Sequence, residues 1–276
     1  MNPKNSFSSN KSGNSTHRGI HDGTRCDCLD GSHRCAHGVA RVISKRGYCS
    51  RSKAEMLVRE GRVTLRGKVV LDPEAPTYEN DEIIINGKAV VANSKIYFMM
   101  NKPRGIVTTA SDEKGRKTVL EVFAEQYRKM HSGKEAPHIS PVGRLDAASE
   151  GLLLFSNDTE WANKILEPKA GHIKIYRVQV KGRPSGNELT QMVKGLTVPP
   201  RIFGEPEEFM HAKSAKVYSA GEKNCWLEIT LTEGKNREIR RMLAFLGYEV
   251  LRLVRIQIDE FALGDLKPGC IREIAL

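Results

Sequence analysis

Residues 141–155 read Pro-Val-Gly-Arg-Leu-Asp-Ala-Ala-Ser-Glu-Gly-Leu-Leu-Leu-Phe, and they join a tight polar loop to an apolar run. The run Leu152–Phe155 lies between Gly151 and the turn-like Ser156-Asn157-Asp158, a pattern typical of a buried strand rather than a helix. Asp146 therefore lies in a loop of small residues that leads into the core. Such a loop can hold a carboxylate rigidly at the floor of a cleft, although most loop aspartates only cap a turn. This stretch alone leaves both interpretations open.

The composition indicates two domains, or one large domain with an appendage, and a polyanionic partner. Hydrophobic residues make up 39% of the 276 residues, enough for a sizeable core, and no apolar run approaches the length of a membrane span. Lys and Arg outnumber Asp and Glu by 44 to 33, which suits nucleic acid or an acidic membrane surface. Only three of the six cysteines follow Gly38, so we expect no disulfide framework and a reducing compartment.

The first 38 residues are rich in Ser, Asn, Gly, His and Lys and contain almost no large apolar side chains. Such a segment cannot bury enough surface to offset its ordering entropy, so we expect residues 1–38 to be a disordered tail. Zinc could in principle bind Cys26, Cys28, Cys35 and His37. Their Cys-x-Cys and Cys-x-His spacings differ from those of common structural sites, which have roughly two to four intervening residues. The sequence thus predicts no metal site.

Residues 39–90 are expected to form a small basic domain. Helical spacing begins at Val39, and a second helix begins near Ser50 or Ser52 and ends at Gly61. Strand and turn patterns follow through Asn86-Gly87. Nine Lys and Arg side chains lie within residues 41–68, a density that favours phosphate contact over a merely solvated face.

This module resembles the small RNA-binding domain first seen in ribosomal small-subunit protein four. The likeness rests on residues 44–55 and 61–68, which match its two helices and the sheet entry. The resemblance implies binding to structured RNA. We expect five basic side chains to contact the RNA: Arg46, Arg51, Lys53, Arg62 and Arg66.

Residues 95–276 show a mixed pattern of strands and helices with several hairpin-like returns. We predict an α+β domain with a mixed, mainly antiparallel sheet, because regular strand–helix–strand alternation is missing. Strands are expected near 95–100, 106–109, 173–180, 214–218, 226–232 and 250–258, and helices near 119–129, 185–194 and 237–246. On the strand at 173–180, alternation places Lys174 and Tyr176 on one face.

The predicted helix at 237–246 has a defined apolar face, formed by Ile239, Met242, Leu243 and Leu246. Arg240 lies roughly 110° from the centre of that face, at the boundary between core and cleft, whereas Arg237 and Arg241 lie further round and point outward. An unpaired buried charge is costly, so a partly buried arginine requires an acidic partner. We therefore predict an ion pair between Arg240 and Asp146.

Four motifs at family spacing resemble those of rRNA pseudouridine synthases of the ribosomal-small-subunit (Rsu) type, and the likeness extends from about residue 40 to about residue 270. The motifs are Asn101-Lys102-Pro103-Arg104-Gly105, Gly143-Arg144-Leu145-Asp146 followed by Glu150-Gly151-Leu152-Leu153-Leu154, Tyr176-Arg177-Val178, and Glu233-Gly234-Lys235-Asn236-Arg237-Glu238-Ile239-Arg240-Arg241-Met242. Leu251-Arg252-Leu253 also fits. Ser149 stands where threonine is usual, and this change preserves the hydroxyl.

The resemblance implies isomerisation of a uridine within RNA: the bond from ribose to base nitrogen 1 breaks, the base turns, and carbon 5 is joined instead. Asp146 would act as nucleophile or base, and Arg240 would keep it ionised in a dry pocket. Tyr176 would stack on the base, with its hydroxyl near the departing carbon 5 proton. The uridine must be flipped out of its helix, and Arg144 could fill the space that it leaves. No cofactor and no metal are required.

Further contacts that the resemblance implies are to the RNA backbone, where they position without specifying. We expect them from Lys102, Arg104, Lys235, Arg237 and Arg241. The expected partner is ribosomal RNA or a ribosomal assembly intermediate, met by a monomer in the cytoplasm. Large-subunit rRNA is favoured as the target, with small-subunit rRNA as the alternative. The chemical route (attack on the ribose, attack on the base, or elimination) stays open.

Two other functions compete with this one. A non-catalytic RNA-binding or assembly factor on the same fold would tolerate loss of Asp146, yet this chain retains Asp146, Tyr176 and Arg240 together. An RNA hydrolase would need an acid–base pair or metal-binding carboxylates, and Glu150 is the only acidic neighbour of Asp146 in the sequence.

Overall fold

The structure is a computed structural model of the chain, and it describes residues 20–21, 24–29, 32–109, 112–202 and 204–276. The chain divides into two compact units, Met1–Asn93 and Ser94–Leu276. In the described residues, no helix has both the length and the apolar character needed to cross a bilayer.

In its described residues, the first unit contains two helices and eight short strands. The helices are α1 (Val39–Lys45) and α2 (Arg51–Arg59). The strands are β1 (Ile20–His21), β2 (Thr24–Leu29), β3 (Ser32–Gly38), β4 (Val63–Leu65), β5 (Lys68–Val69), β6 (Pro76–Thr77), β7 (Ile83–Ile85) and β8 (Lys88–Ala89). They form two sheets, in the orders β1-β2-β3-β6 and β5-β4-β7-β8.

The core of this unit lies between the two helices and the β4–β7 pair. Ile43 of α1, Val58 of α2, Val63 of β4 and Ile85 of β7 are fully buried in one cluster. The hydroxyl of Ser50 accepts a hydrogen bond from the Lys53 amide at 3.3 Å, so Ser50 rather than Ser52 caps α2.

The disordered tail predicted for residues 1–38 is replaced in part by strands. β2 and β3 pair antiparallel from Arg25↔Ala36 to Leu29↔Ser32, and β3 leads directly into α1. Paired strands satisfy their backbone groups with one another, which a composition rule for disorder does not consider. Residues 1–19 and the side chains of the three cysteines in this segment lie outside the described residues, so the prediction that they bind no zinc stays a prediction.

The second unit is built on a nine-stranded sheet with the order β15-β16-β12-β17-β11-β9-β19, with β10 paired to β11 and β18 paired to β17. The strands are β9 (Tyr97–Lys102), β10 (Ser140–Val142), β11 (Glu150–Ser156), β12 (Lys174–Lys181), β13 (Leu196–Val198), β14 (Glu208–Met210), β15 (Ser214–Ala220), β16 (Asn224–Leu231), β17 (Val250–Ile258), β18 (Phe261–Ala262) and β19 (Ile271–Glu273). β13 and β14 form a separate hairpin.

Four α-helices and one short 3₁₀ helix accompany this sheet. They are α3 (Val119–Met130), α4 (Thr159–Leu166), the 3₁₀ helix (Pro168–Ala170), α5 (Gly186–Lys194) and α6 (Glu238–Phe245). All strand pairs of the sheet are antiparallel except β11 with β17, which confirms the predicted α+β class with a mainly antiparallel sheet.

The strand β11 lies at the centre of this unit, as the apolar run predicted. Leu152 and Leu154 are buried on one face of the sheet, and Leu153 and Phe155 on the other, beneath α3. Gly151 is needed at the start of the strand because a Cβ there would lie 2.2 Å from the carbonyl oxygen of Arg255 on β17. This close approach brings the loop before β11 next to β17 and, beyond it, β12.

Candidate active site

A cavity of about 490 Å³ opens where the loop before β11, the strand β12 and the start of α6 meet. It is lined by six of the residues predicted for the catalytic site: Arg144, Asp146, Tyr176, Lys235, Arg237 and Arg240. The structure thus brings these distant motifs together at one cavity. Lys102, Arg104 and Arg241 are not part of the cavity wall.

Lys102 holds the Asp146 loop from inside the protein. Its fully buried ammonium donates hydrogen bonds to the carbonyl oxygens of Ser149 at 2.9 Å, Asp146 at 3.1 Å and Pro103 at 3.2 Å. Burial lowers the pKa of Lys102 to about 8, and the nearby Asp146 and Glu150 carboxyls oppose that shift. The predicted contact between Lys102 and RNA phosphate is therefore wrong.

Two further contacts fix the same loop from the side of the first motif. The Thr108 hydroxyl donates to the Leu145 carbonyl at 2.8 Å and accepts from the Leu145 amide at 3.3 Å. The Gly105 amide donates to the Ala147 carbonyl at 2.7 Å. These bonds hold the backbone on both sides of Asp146, so its carboxylate is presented from a rigid loop.

The carboxylate of Asp146 is paired with Arg237 and not with Arg240. Oδ2 of Asp146 lies 3.4 Å from Nη1 of Arg237, and both side chains are about two-fifths exposed. Arg237 is the N-cap of α6 and has a left-handed backbone, with φ of 51°. The helical wheel that pointed Arg237 outward assumed a helix beginning at this residue, and the left-handed turn removes that assumption.

Arg240 instead ties three parts of the site together. Its guanidinium donates to the Ala148 carbonyl at 3.0 Å and to the Val250 carbonyl at 3.2 Å, which joins α6 to the Asp146 loop and to β17. Burial and then the neighbouring Arg237 lower the pKa of Arg240, while Asp146 acts in the opposite direction. The predicted Arg240–Asp146 ion pair is wrong because backbone carbonyls occupy the guanidinium.

The remaining predicted phosphate contacts differ in their accessibility. Arg241 is nearly buried, where it forms an ion pair with Glu208 and donates to the Pro199 carbonyl, so it does not point outward. The Lys235 ammonium donates to the Phe209 carbonyl at 2.7 Å and still lines the cavity. Arg144 and Arg104 are exposed.

Tyr176 is 7% exposed and belongs both to the cavity wall and to the core beneath β12. It lies directly opposite Arg255 in the β12–β17 pairing. The core interpretation and the stacking interpretation of this tyrosine are thus compatible, because a largely buried ring also borders the cavity.

Glu150 has a partner of its own. Arg252 donates to its two carboxylate oxygens at 2.7 and 3.0 Å. Both carboxylate oxygens of Glu150 are thus engaged by Arg252, which disfavours Glu150 as the acid–base partner of Asp146 that the hydrolase alternative needs.

Four ionisable residues of the cavity were given no role by the sequence reasoning: Lys174, Glu233, Glu238 and Arg255. Glu238 is almost completely buried and accepts from the Lys235 amide at 3.1 Å. Its burial and the adjacent Glu233 raise the pKa of Glu238 to about 8. Lys174 could have been found from the sequence, because strand alternation places it on the face of Tyr176.

In the first unit, four of the five predicted RNA contacts are already bound to the protein itself. Arg46 donates to the carbonyl oxygens of Val90 and Glu79, both at 2.8 Å, so its predicted contact with RNA is wrong. The other three bind exposed or partly exposed groups: Arg51 pairs with Glu55 and Glu74, Arg62 with Glu60, and Arg66 with Asp81. Exposed pairs of this kind are weak, so a phosphate can replace the carboxylate. Lys53 is exposed and has no ion pair within the described residues.

The described residues contain no group of three or more His, Cys, Asp and Glu side chains that could hold a metal ion.

Known proteins resemble the chain over nearly its whole length. Ribosomal large subunit pseudouridine synthase B of Bacillus subtilis is 37% identical over 239 residues, which are 86% of this chain and 91% of that protein. An RNA pseudouridine synthase of Mycobacterium leprae is 35% identical over 262 residues, with 92% and 93% covered. A crystal structure of a pseudouridylate synthase superimposes with a TM-score of 0.56 at 25% identity, covering 87% of this chain and 96% of that one.

Family matches divide the chain in the same way as the sequence motifs. Residues 39–83 match the S4 domain, and residues 96–245 match the RNA pseudouridylate synthase family. The second match contains the Asp146 loop, Tyr176 and the start of α6. The chain therefore belongs to the RNA pseudouridylate synthase family and is an RNA pseudouridine synthase with an N-terminal S4 domain.

Proposed function

We propose that this enzyme converts one uridine of large-subunit ribosomal RNA to pseudouridine, with Asp146 as the nucleophile or base. The observation that carries the assignment of Asp146 is its position: a carboxylate on a loop fixed by Lys102, facing a guanidinium at the wall of a nucleotide-sized cavity. The relative from Bacillus subtilis, whose name specifies the large subunit, supports the choice of RNA.

The reaction exchanges one bond of the uridine for another without gain or loss of atoms. The bond between ribose carbon 1′ and base nitrogen 1 breaks, the base rotates, carbon 1′ joins carbon 5, and the carbon 5 proton is lost while nitrogen 1 gains one. Asp146 is positioned to attack or to accept a proton, and the Arg237 guanidinium lies 3.4 Å from its carboxylate. Attack on the ribose, attack on the base and elimination all use the carboxylate in this place.

The other groups in and around the cavity divide into those that touch RNA and those that position them. Tyr176 forms the wall on which the everted base rests, and exposed Arg144 is placed to fill the gap left in the RNA helix. Lys235, Arg104 and Arg237 supply positive charge for phosphates. Lys102 and Arg240 act through the backbone of the Asp146 loop as positioning residues.

The experiment that tests the proposal maps pseudouridines in the rRNA of cells that lack the gene. The cells carry no copy, the parent gene, or the Asp146→Asn variant. We expect one large-subunit site to disappear, to return with the parent, and to stay absent with Asp146→Asn. RNA affinity of the variant is measured separately, and we expect it to equal that of the parent because Asp146 is acidic and contributes no attraction to phosphate.

Each other outcome rejects a different part of the proposal. Loss of a small-subunit site would reject the target and leave the chemistry intact. Restoration by Asp146→Asn would reject the role of Asp146. An unchanged set of pseudouridines would reject rRNA as the substrate.

We also propose that the enzyme works as a monomer in the cytoplasm, on free rRNA or on an assembly intermediate. All residues that line the cavity come from the second unit of a single chain, so a second copy is not needed to complete the site. Light scattering coupled to gel filtration tests the monomer, and a dimer that contributes residues to the cavity would reject it.

A further inference from the structure

One wall of the cavity carries two cations that the mechanism above does not use. Lys174 and Arg255 both line it, Lys174 at the start of β12 and Arg255 opposite Tyr176 on β17. Arg255 is 5% exposed and donates through Nε to the Leu152 carbonyl at 2.8 Å, but its Nη2 is buried and has no hydrogen-bond partner among the described residues. Its charge is therefore only partly compensated by the protein.

Lys174 is half-buried, and its ammonium has no ion pair or hydrogen bond among the described residues. Two acids lie near enough to favour its charged form, yet both are engaged elsewhere. Asp259 binds His172 at 2.6 Å and the Ile173 amide at 2.7 Å. Glu238 accepts from the Lys235 amide and faces Glu233.

Burial and the nearby Arg255 together lower the pKa of Lys174, which is the sign of a charge that the folded chain does not satisfy. A partly buried cation without an acceptor is destabilising, so its presence on a cavity wall is explained best by a ligand that supplies the acceptor. The cavity wall next to Tyr176 therefore carries a hydrogen-bond donor, the Lys174 ammonium, that has no acceptor among the described residues.

The position of Lys174 limits what that acceptor can be. Lys174 and Tyr176 are two residues apart on one face of β12, which places their Cα atoms about 7 Å apart. A lysine side chain spans a similar distance, so the ammonium reaches the edge of a ring that lies against Tyr176. The edge of uracil offers two carbonyl oxygens as acceptors.

We propose that Lys174 binds the everted uracil by donating a hydrogen bond from its ammonium to a carbonyl oxygen of the base, with Arg255 beside it on the same wall. This inference rests on the proposed function, because it names the group that recognises the substrate base. A contact to the oxygen at carbon 4 would favour uracil over cytosine, which carries an amino group there, whereas the oxygen at carbon 2 is common to both bases.

The test uses the full-length enzyme and a synthetic RNA hairpin containing the uridine located by rRNA mapping. Four hairpins are compared, with uridine, 2-thiouridine or 4-thiouridine at the target, or with a methylphosphonate in place of its 5′ phosphate. The enzymes are the parent, Lys174→Met, Lys174→Gln and the control Lys181→Met. Lys181 is an exposed lysine at the other end of β12 and does not line the cavity.

We expect Lys174→Met and Lys174→Gln to lower kcat/KM on the uridine hairpin by about 10- to 100-fold, the range for a hydrogen bond from a charged donor. Lys181→Met should equal the parent. Sulfur accepts hydrogen bonds poorly. The hairpin with sulfur in place of the oxygen that Lys174 binds should therefore lower kcat/KM for the parent, but should not lower it further for Lys174→Met or Lys174→Gln. The melting temperature of Lys174→Met should equal or exceed that of the parent, because a poorly solvated charge has been removed.

Four results would overturn the inference. One is equal kcat/KM for the parent and both variants, and another is a lower melting temperature in both variants, which marks a structural lysine. The third is that the effects of the Lys174 substitutions and of both thio hairpins on kcat/KM are fully additive. The fourth is that the substitutions are non-additive with the methylphosphonate instead, which would mean that Lys174 binds a phosphate. Asp146→Asn is measured in parallel: if it is inactive while Lys174→Met equals the parent, this inference fails and the proposed function stands. If Asp146→Asn is active, the role proposed for Asp146 fails.

Discussion

At the scale of single residues, the charged side chains in and behind the cavity wall differ in how many hydrogen-bond partners the protein gives them. Lys102, behind the cavity wall, has three carbonyl oxygens around its ammonium, whereas Arg240, Arg255 and Glu238 each keep one buried polar atom without a partner in the part of the chain that the structure describes. Unsatisfied buried atoms are rare in folded proteins because each costs free energy. Their concentration at one cavity is consistent with a site that is completed by its substrate.

Glu238 leads to a prediction about the dependence of stability on pH. Its pKa is raised from 4.5 to about 8 by burial and by Glu233, so the folded protein binds a proton that the unfolded chain releases. The stabilisation from this group is present below pH 4.5 and is lost as the pH rises through about 8. The Glu238→Gln variant mimics the protonated acid and should lack this loss.

We therefore expect Glu238→Gln to match the parent in free energy of unfolding at pH 5 and to exceed it at pH 9, by on the order of 2 kcal/mol. Urea unfolding at the two pH values measures this difference. Glu205→Gln, an exposed change outside the cavity, serves as the control and should leave both values unchanged. A difference of the same size at both pH values would contradict the assigned ionisation.

At the scale of secondary-structure elements, the start of α6 separates two arginines that look equivalent in the sequence. Arg237 is two-fifths exposed and pairs with Asp146, whereas Arg240 is half-buried and its guanidinium binds two backbone carbonyls. We expect Arg240→Met to lower the free energy of unfolding by about 2–4 kcal/mol, because two carbonyls lose their donor.

Arg237→Met should change stability by no more than about 0.5 kcal/mol, since exposed ion pairs contribute little. Both variants should lower kcat. Arg237→Met removes the ion-pair partner of Asp146, and Arg240→Met releases the backbone of the Asp146 loop. Denaturant unfolding and single-turnover rates measured on the same preparations separate the two effects. An Arg237→Met variant that is as destabilised as Arg240→Met would contradict the assignment.

The strand β11 gives a second prediction at this scale. Gly151 has φ of +100°, and a Cβ there would meet the Arg255 carbonyl at 2.2 Å, so Gly151→Ala must push β11 away from β17. We expect a loss of about 3 kcal/mol or more in the free energy of unfolding. Gly264→Ala is the control: its φ is +55° with no atom within 4 Å of the added carbon, so only backbone strain of about 1 kcal/mol applies. Equal losses for the two variants would contradict the clash.

Much of this element structure could be predicted from the sequence, for identifiable reasons. The four consecutive apolar residues Leu152–Phe155, between Gly151 and a turn, predicted β11. The apolar spacing from Ile239 to Leu243 predicted α6. The partners of individual charges could not be predicted. In the sequence, Lys102 follows the predicted strand within a basic turn and resembles a surface residue. In the structure it is the last residue of β9, and its burial depends on the Asp146 loop folding over it.

The pairing of Asp146 was missed for a similar reason. A helical wheel orders side chains around an axis but does not show where the helix begins, and the left-handed Arg237 lies one residue before α6. Lys174, in contrast, was within reach of the sequence: alternation along β12 already placed it beside Tyr176, and only its lack of a partner required the structure.

At the scale of the whole molecule, the net charge of +11 is divided between two units with separate roles. The second unit holds the cavity, and the first carries the S4 domain, with exposed Lys53, Arg59 and Lys68. None of these three has an ion pair to another residue in the described ranges. They are therefore available to phosphates without first breaking an internal contact.

We expect replacement of all three by glutamine to weaken RNA binding and to flatten its salt dependence. Each phosphate contact contributes roughly 0.7 to 0.9 to the slope of log affinity against log salt, so the slope should fall by about 2. Titrations of rRNA fragments at several salt concentrations measure the slope, and the melting temperature should stay unchanged. An unchanged slope would contradict RNA contact by this face.

The enclosure of Lys102 has one more consequence. An amine whose pKa is about 8 is partly uncharged near neutrality, and an uncharged amine is a nucleophile toward acylating reagents. This one is sealed from water by the very backbone that it organises. Acylation of Lys102 in the native protein therefore requires the Asp146 loop to open. The labelling rate of this one lysine thus reports the rate at which the catalytic centre opens spontaneously.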